Sequence, residues 1–134
     1  MTVYNINLHT KSKADFYEIT SEVQKSVTSS GVKNGVCYIF TPHTTAAITI
    51  NEHADPNIVE DIIARLDVLA PQNINYRHLE GNSPGHIKAS LIGSTQVVFV
   101  QEERLVLGKW QGIFFCEFDG PRNRNILIKI LPDK

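Results

Sequence analysis

The sequence predicts an α/β (α+β) sandwich: a mostly antiparallel β-sheet or sandwich with about three helices packed on it. Three observations predict it. Strand-like runs outnumber helical ones. Several neighbouring runs are joined by tight turns. Three segments carry helix starts and stops. At 134 residues the chain reads as one domain, 1–134, able to bury a core without disulfides or a structural metal.

Residues 3–8 alternate apolar and polar side chains, as a half-buried strand does. A short second strand is expected at 15–19. Thr20 or Ser21 can cap a helix in which Val23 and Val27 lie one turn apart, and Gly31 ends it. Gly35 opens a run at 36–41 rich in β-branched and aromatic residues. A break at Thr41-Pro42-His43-Thr44 separates it from a strand at 45–51, so His43 sits at a strand end or tight turn.

Asp55-Pro56 is a strong helix start, because Asp accepts from free N–H groups and Pro is preorganised for the first helical position. Ile58, Val59, Ile62, Ile63, Leu66 and Leu69 then form one apolar face, and Pro71 stops the helix. Residues 72–82 are polar and read as a loop. Ser83-Pro84 repeats the cap-plus-proline signal for a short helix through His86, Ile87, Ser90 and Leu91, ending at Gly93. Strands at 95–100, 104–107, 110–118 and 125–131 complete the chain.

Composition narrows the function classes. Thirteen basic against fourteen acidic side chains give a net charge of −1. That is not the basic excess of a duplex-binding protein, so no nucleic-acid partner is expected. The N-terminus has no basic start followed by an apolar core, and no apolar run approaches the ~18 residues of a membrane span. Cys37 and Cys116 lie in strand-like runs and read as buried free thiols. These features point to a cytoplasmic protein without a membrane partner.

The five histidines carry most of the chemistry. His9 and His53 read as ordinary exposed residues. His43, His78 and His86 each sit in or beside a turn, where functional side chains tend to be mounted. His86 falls near a helix N-terminus, whose dipole disfavours an imidazolium and keeps the ring neutral. Three neutral histidines with open remaining positions match a catalytic zinc site, so these three are the candidate metal ligands. HExxH is absent.

Glu52 ends the strand that begins after His43 and is a candidate ligand or general base. Asp119, in the Asp119-Gly120-Pro121 turn, is a second candidate base, or a turn former. Gly81-Asn82-Ser83-Pro84-Gly85 matches G-x-S-x-G, but no buried strand precedes it and no acid lies between Ser83 and His86. Ser83 reads as a helix cap. The same loop exposes N–H groups suited to phosphate, with Lys88, Arg122 and Arg124 as nearby cations.

Several segments together carry a resemblance. They are Thr41-Pro42-His43-Thr44-Thr45-Ala46-Ala47, Asn51-Glu52 with Ala54-Asp55-Pro56, Tyr76-Arg77-His78, and Glu80-Gly81-Asn82. Next come the run from His86 to Gly93, Leu107-Gly108 with Trp110-Gln111, and Phe118-Asp119-Gly120-Pro121-Arg122. Taken in order they make the chain resemble the YjbQ-like family over nearly its whole length. His43, His78 and His86 match family positions, whereas His9 and His53 do not. Lys109 stands where the family has a small polar residue, and Gly85 where alanine is commoner. The glycine is expected only to loosen the helix start.

The resemblance implies a compact sandwich assembled as a homotrimer, with a polar histidine-containing pocket. In some members it also implies a secondary thiamine-phosphate synthase-like activity. The resulting expectation is a metal-dependent transferase acting on a small phosphorylated metabolite. His43, His78 and His86 would hold a divalent metal, zinc at rest with magnesium an option for turnover. Glu52 and Asp119 would be the catalytic carboxylates, and Lys88, Gln111 and Arg122 would bind substrate. Two alternatives stay open: a non-enzymatic metal or metabolite binding protein, and a metal-dependent hydrolase of another metabolite.

Overall fold

The structure, a computed structural model, describes residues 2–134. Its elements are β1 (Val3–His9), β2 (Asp15–Glu18), α1 (Thr20–Ser30), β3 (Gly35–Phe40), β4 (Ala46–Glu52), α2 (Pro56–Leu69), α3 (Ser83–Ile92), β5 (Thr95–Gln101), β6 (Arg104–Leu105), β7 (Gln111–Glu117) and β8 (Asn123–Pro132). The strands form two antiparallel sheets. One has five strands in the order β1-β8-β3-β5-β6, and the other has three in the order β2-β7-β4. This is the expected α+β sandwich.

Side-chain alternation builds the layers. Cys37 and Ile39 of β3, Val98 and Val100 of β5, and Ile126, Ile128 and Ile130 of β8 face inward. They meet Ala46 and Ile48 of β4, Ile113 and Phe115 of β7, and Val23 and Val27 of α1 in one core. The opposite face of the three-stranded sheet presents Phe16, Ala47, Phe114 and Cys116 to Leu66 of α2 and Ala89 of α3. The order of layers is therefore five-stranded sheet, three-stranded sheet, then α2 and α3, with α1 packed into the core between the sheets.

Both cysteines are free and buried, with burial pushing the Cys37 thiol up to about 12 and raising that of Cys116 further. No helix among the described residues is long and apolar enough to cross a membrane.

Helix starts differ from expectation in two of three cases. Asp55 does cap α2, accepting from the Asn57 N–H at 2.9 Å. Thr20 instead begins α1, donating from Oγ1 to Glu18 and accepting from the Ile113 N–H. Ser83 likewise begins α3, and Asn82 before it turns its side chain to Asp119 rather than to the helix amides. In both cases a polar side chain at the helix start is engaged by a neighbouring segment instead of by the helix amides.

Strand β6 is shorter than the expected 104–107, and its outer edge is closed by one side chain. Gln24 of α1 donates from Nε2 to the Glu103 carbonyl and accepts at Oε1 from the Leu105 N–H. A side-chain amide thus completes the hydrogen bonding that a further strand would otherwise supply.

Candidate functional site

Register decides which candidates meet. Ala46, which opens β4, pairs with Glu117, and Glu52, which closes it, pairs with Gln111. A seven-residue strand spans about 20 Å, so the two ends are separate places. His43, Asp119 and Arg122 collect at the Ala46 end. Glu52 and Gln111 lie at the other, where Gln111 Oε1 accepts from the Gly108 N–H.

A buried ion pair underlies the His43 end. Arg124 of β8 donates from Nε to Glu117 Oε1 at 2.9 Å and from Nη2 to Glu117 Oε2. It also bonds both the carbonyl and the hydroxyl of Thr45. Thr10 Oγ1 and the Asp119 N–H complete the carboxylate's donors. Burial alone would raise the Glu117 pKa, but these hydrogen bonds outweigh it and hold it below the usual value. The pair pins Thr45, at the end of the turn that carries His43, to β7 and β8.

Asp119 organises a second, shallower cluster. Its Oδ1 accepts from Lys13 Nζ at 2.7 Å, and its Oδ2 accepts from Arg122 Nη2 at 2.7 Å and Asn82 Nδ2 at 2.8 Å. Burial opposes ionisation here too. The hydrogen bonds from Lys13 and Asn82 and the charges of Lys13 and Arg122 win, so the carboxyl stays below its ordinary range. A carboxylate so fully used holds its neighbours in place and has little spare basicity.

His43 is fixed from its Nε2 side. That nitrogen accepts the Asn125 backbone N–H at 2.9 Å. A neutral imidazole has a single ring lone pair, so the proton resides on Nδ1 and the ring is a hydrogen-bond donor on its free side. Burial lowers the His43 pKa, and the Arg124 and Arg122 charges lower it further against an opposing effect of Glu117. The ring lines a depression of about 530 Å³ with Thr44, Ala46, His86, Ala89, Ser90, Gly93 and Ser94.

Helix α3 brings His86 close because Gly85 has no side chain. A Cβ there would lie 2.9 Å from the Phe118 carbonyl oxygen and 3.4 Å from Thr45. Gly85 thus allows a close helix–strand approach as well as a looser helix start. His86 also meets His78 edge-to-face, with ring centroids 5.3 Å apart. These two histidines line a second depression, of about 320 Å³, with Tyr76, Arg77, Ser83 and Ile87. His86 is the wall between the two.

The expected metal centre is therefore corrected. His43 and His86 share one depression and His78 and His86 the other, but the Nε2 lone pair of His43 is spent on Asn125. Among the described residues no group of three or more His, Cys, Asp or Glu side chains is disposed to hold a metal ion. These residues do not fit a divalent metal. Lys88 also lies away from the depressions. It is buried and pairs with Asp67 of α2. Four groups at this end were missed from the sequence as site residues: Lys13, Asn125, Ser90 and Ser94. Each arrives by strand pairing or helix packing rather than by a local motif.

The profile of the family described as UPF0047 protein YjbQ-like matches residues 4–133. The chain belongs to this family. UPF0047 protein MJ1081 of Methanocaldococcus jannaschii is 46% identical over 132 residues, covering 98% of this chain and 96% of that protein. UPF0047 protein YugU of Bacillus subtilis is 44% identical, covering 94% and 96%. A crystal structure of a family member from Clostridium acetobutylicum superposes with a TM-score of 0.94 at 49% identity, covering 96% of this chain and 99% of that one. A Sulfolobus solfataricus structure, described as a YbjQ-like protein of unknown function, gives 0.94 at 37% identity, covering 98% and 99%.

These relatives bring no activity with them. The expectation of a metal-dependent enzyme with thiamine-phosphate synthase-like transfer is corrected on this ground together with the absence of a fitting ligand set among the described residues.

Proposed function

We propose that the depression between His43 and α3 binds a small phosphorylated metabolite through neutral hydrogen-bond donors. The single observation that supports this reading is the Asn125 N–H to His43 Nε2 bond, which turns the Nδ1–H of His43 outward as a donor. Thr44, Ser90 and Ser94 add hydroxyl groups to the same wall, and among the described residues no lysine or arginine lines it. Such a lining suits the uncharged, oxygen-rich body of a metabolite, because hydroxyl and carbonyl oxygens accept from neutral donors without a charge to desolvate. The test is a titration of histidine-labelled protein with ribose 5-phosphate as the probe. Ring signals of His43 and His86 shift together in a saturable way. No movement at His43 with phosphorylated polyols or sugars sinks the reading.

We also propose that the chain assembles with copies of itself, as the homotrimer expected from the resemblance. The observation behind this is the bare outer face of the five-stranded sheet. There Val36 neighbours Phe99 and Leu131, Tyr38 neighbours Val97, and Phe40 neighbours Leu127. Tyr38, Phe40, Val97 and Phe99 are exposed, and an apolar patch of this kind on β3 and β5, interrupted on β8 by Lys129 opposite Tyr38, is unusual on a chain that stays single. Sedimentation at micromolar concentration gives a trimer mass, and a Phe99→Lys variant gives the monomer. A wild-type monomer overturns it.

A further inference from the structure

The cations near the histidines can be accounted for one by one. Lys13 and Arg122 are held by Asp119, Arg124 by Glu117, and Lys88 by Asp67. Arg77 differs: among the described residues it makes no ion pair and no hydrogen bond, although it lines the 320 Å³ depression beside His78 and His86.

The loop that presents Arg77 is held from both sides. Tyr76 donates its hydroxyl to the Pro71 carbonyl at 2.5 Å, and Gln72 Nε2 donates to the Gly81 carbonyl at 2.7 Å. The loop from Pro71 to Gly81 is therefore tied at its start and its end, and the depression has a defined rim.

The donors there form a set. A guanidinium offers paired N–H groups, the two imidazoles each offer one, and Ser83 offers a hydroxyl. Five donors around one hollow suit the three terminal oxygens of a phosphate monoester better than the two of a carboxylate. We infer that Arg77, His78, Ser83 and His86 seat the phosphate of a monoester whose uncharged body lies in the neighbouring His43 depression, with His86 touching both parts. This rests on the reading of the His43 depression given above. It moves the phosphate seat away from Lys88 and Arg122. Glu80 lies at the same rim, its carboxylate 4.0 Å from His78 Nε2, and competes with the incoming anion.

The experiment uses the full chain with labelled histidines and three probes: inorganic phosphate, ribose and ribose 5-phosphate. Inorganic phosphate shifts His78 and His86 and leaves His43 in place. Ribose 5-phosphate shifts all three, and Arg77→Ala weakens it about tenfold. Arg77 is exposed, so this variant folds, and Arg77→Lys recovers only part of the loss. Glu80→Gln tightens inorganic phosphate. Acetate binds more weakly than phosphate. The inference is overturned if phosphate leaves His78 and His86 unmoved. It is equally overturned if Arg77→Ala binds as wild type while Arg122→Ala does not. Movement of His43 and His86 by ribose 5-phosphate, with His78 unmoved by either ester or phosphate, keeps the earlier reading and removes this one. Movement of His78 and His86 by phosphate, with His43 silent to every ester, keeps the phosphate seat and removes the earlier reading.

Discussion

Arg124 grips Glu117 with two guanidinium nitrogens, and neither side chain reaches solvent. Removing one partner strands the other charge in the core. Arg124→Leu is expected to cost about 3–5 kcal/mol of unfolding free energy, read by urea denaturation. The double variant Glu117→Leu with Arg124→Leu recovers part of that loss, because no buried charge then remains. A single variant within experimental error of wild type contradicts this.

The same carboxylate sets an acid limit. The folded pKa of Glu117 lies below its unfolded value, so its contribution is complete above the unfolded value. It is lost as the pH falls through the folded one. Asp119 has the same sign. Denaturation midpoints collected at successively lower pH are expected to fall below the ordinary carboxylate range. In Glu117→Gln that fall is shallower. An equal slope in both proteins excludes Glu117 as a contributor.

His43 adds to the same trend, but nearer neutral pH. Its folded pKa is also lowered, but here the neutral ring is the favoured native form. As the pH drops below the ordinary histidine value the unfolded chain takes up a proton that the folded chain refuses. The stabilisation present above that value is then lost. Long-range proton–nitrogen correlation spectra are expected to show the Nδ1–H tautomer at neutral pH and a ring still neutral at the ordinary histidine value. An Nε2–H signal under those conditions refutes the Asn125 contact.

Lys88 serves to distinguish packing from binding. Its stem is buried against α2 and its ammonium meets the exposed Asp67. Lys88→Ala is expected to lower stability by roughly 1–2 kcal/mol through lost packing, with little from the solvent-screened ion pair. The affinity for ribose 5-phosphate does not change. A stable protein with weakened binding reverses the assignment.

Gly35 tolerates no side chain. A Cβ at this position would sit 2.0 Å from the Leu131 carbonyl oxygen across the β3–β8 pairing. Gly35→Ala is therefore expected to cost about 2–3 kcal/mol, measured by thermal unfolding. A variant as stable as wild type shows that the two strands can part without loss.

The layers were legible in the sequence because they depend on periodicity. The 3–8 alternation and the apolar face of Ile58, Val59, Ile62, Ile63, Leu66 and Leu69 are local patterns, and each produced its element. The site was legible only in its residue types. His43, His78 and His86 were singled out, yet nothing local reveals that an amide eighty-two residues away takes the His43 lone pair. Register was the other hidden variable. Glu52 follows His43 closely in sequence, but β4 carries it to the far end of the sheet. The capping readings failed because Ser83 and Thr20 lie inside their helices: Asn82, which precedes Ser83, turns its amide to Asp119, and Thr20 Oγ1 accepts from the Ile113 N–H.

Gln24 has a consequence for how the protein behaves in a crowded solution. By satisfying the backbone of β6 from within its own chain, it denies that flank to extended segments of other molecules. Growth of the sheet into an open-ended fibre is thus stopped on one side by a single amide. A leucine of similar size in its place would leave the fold's interior untouched and its flank adhesive.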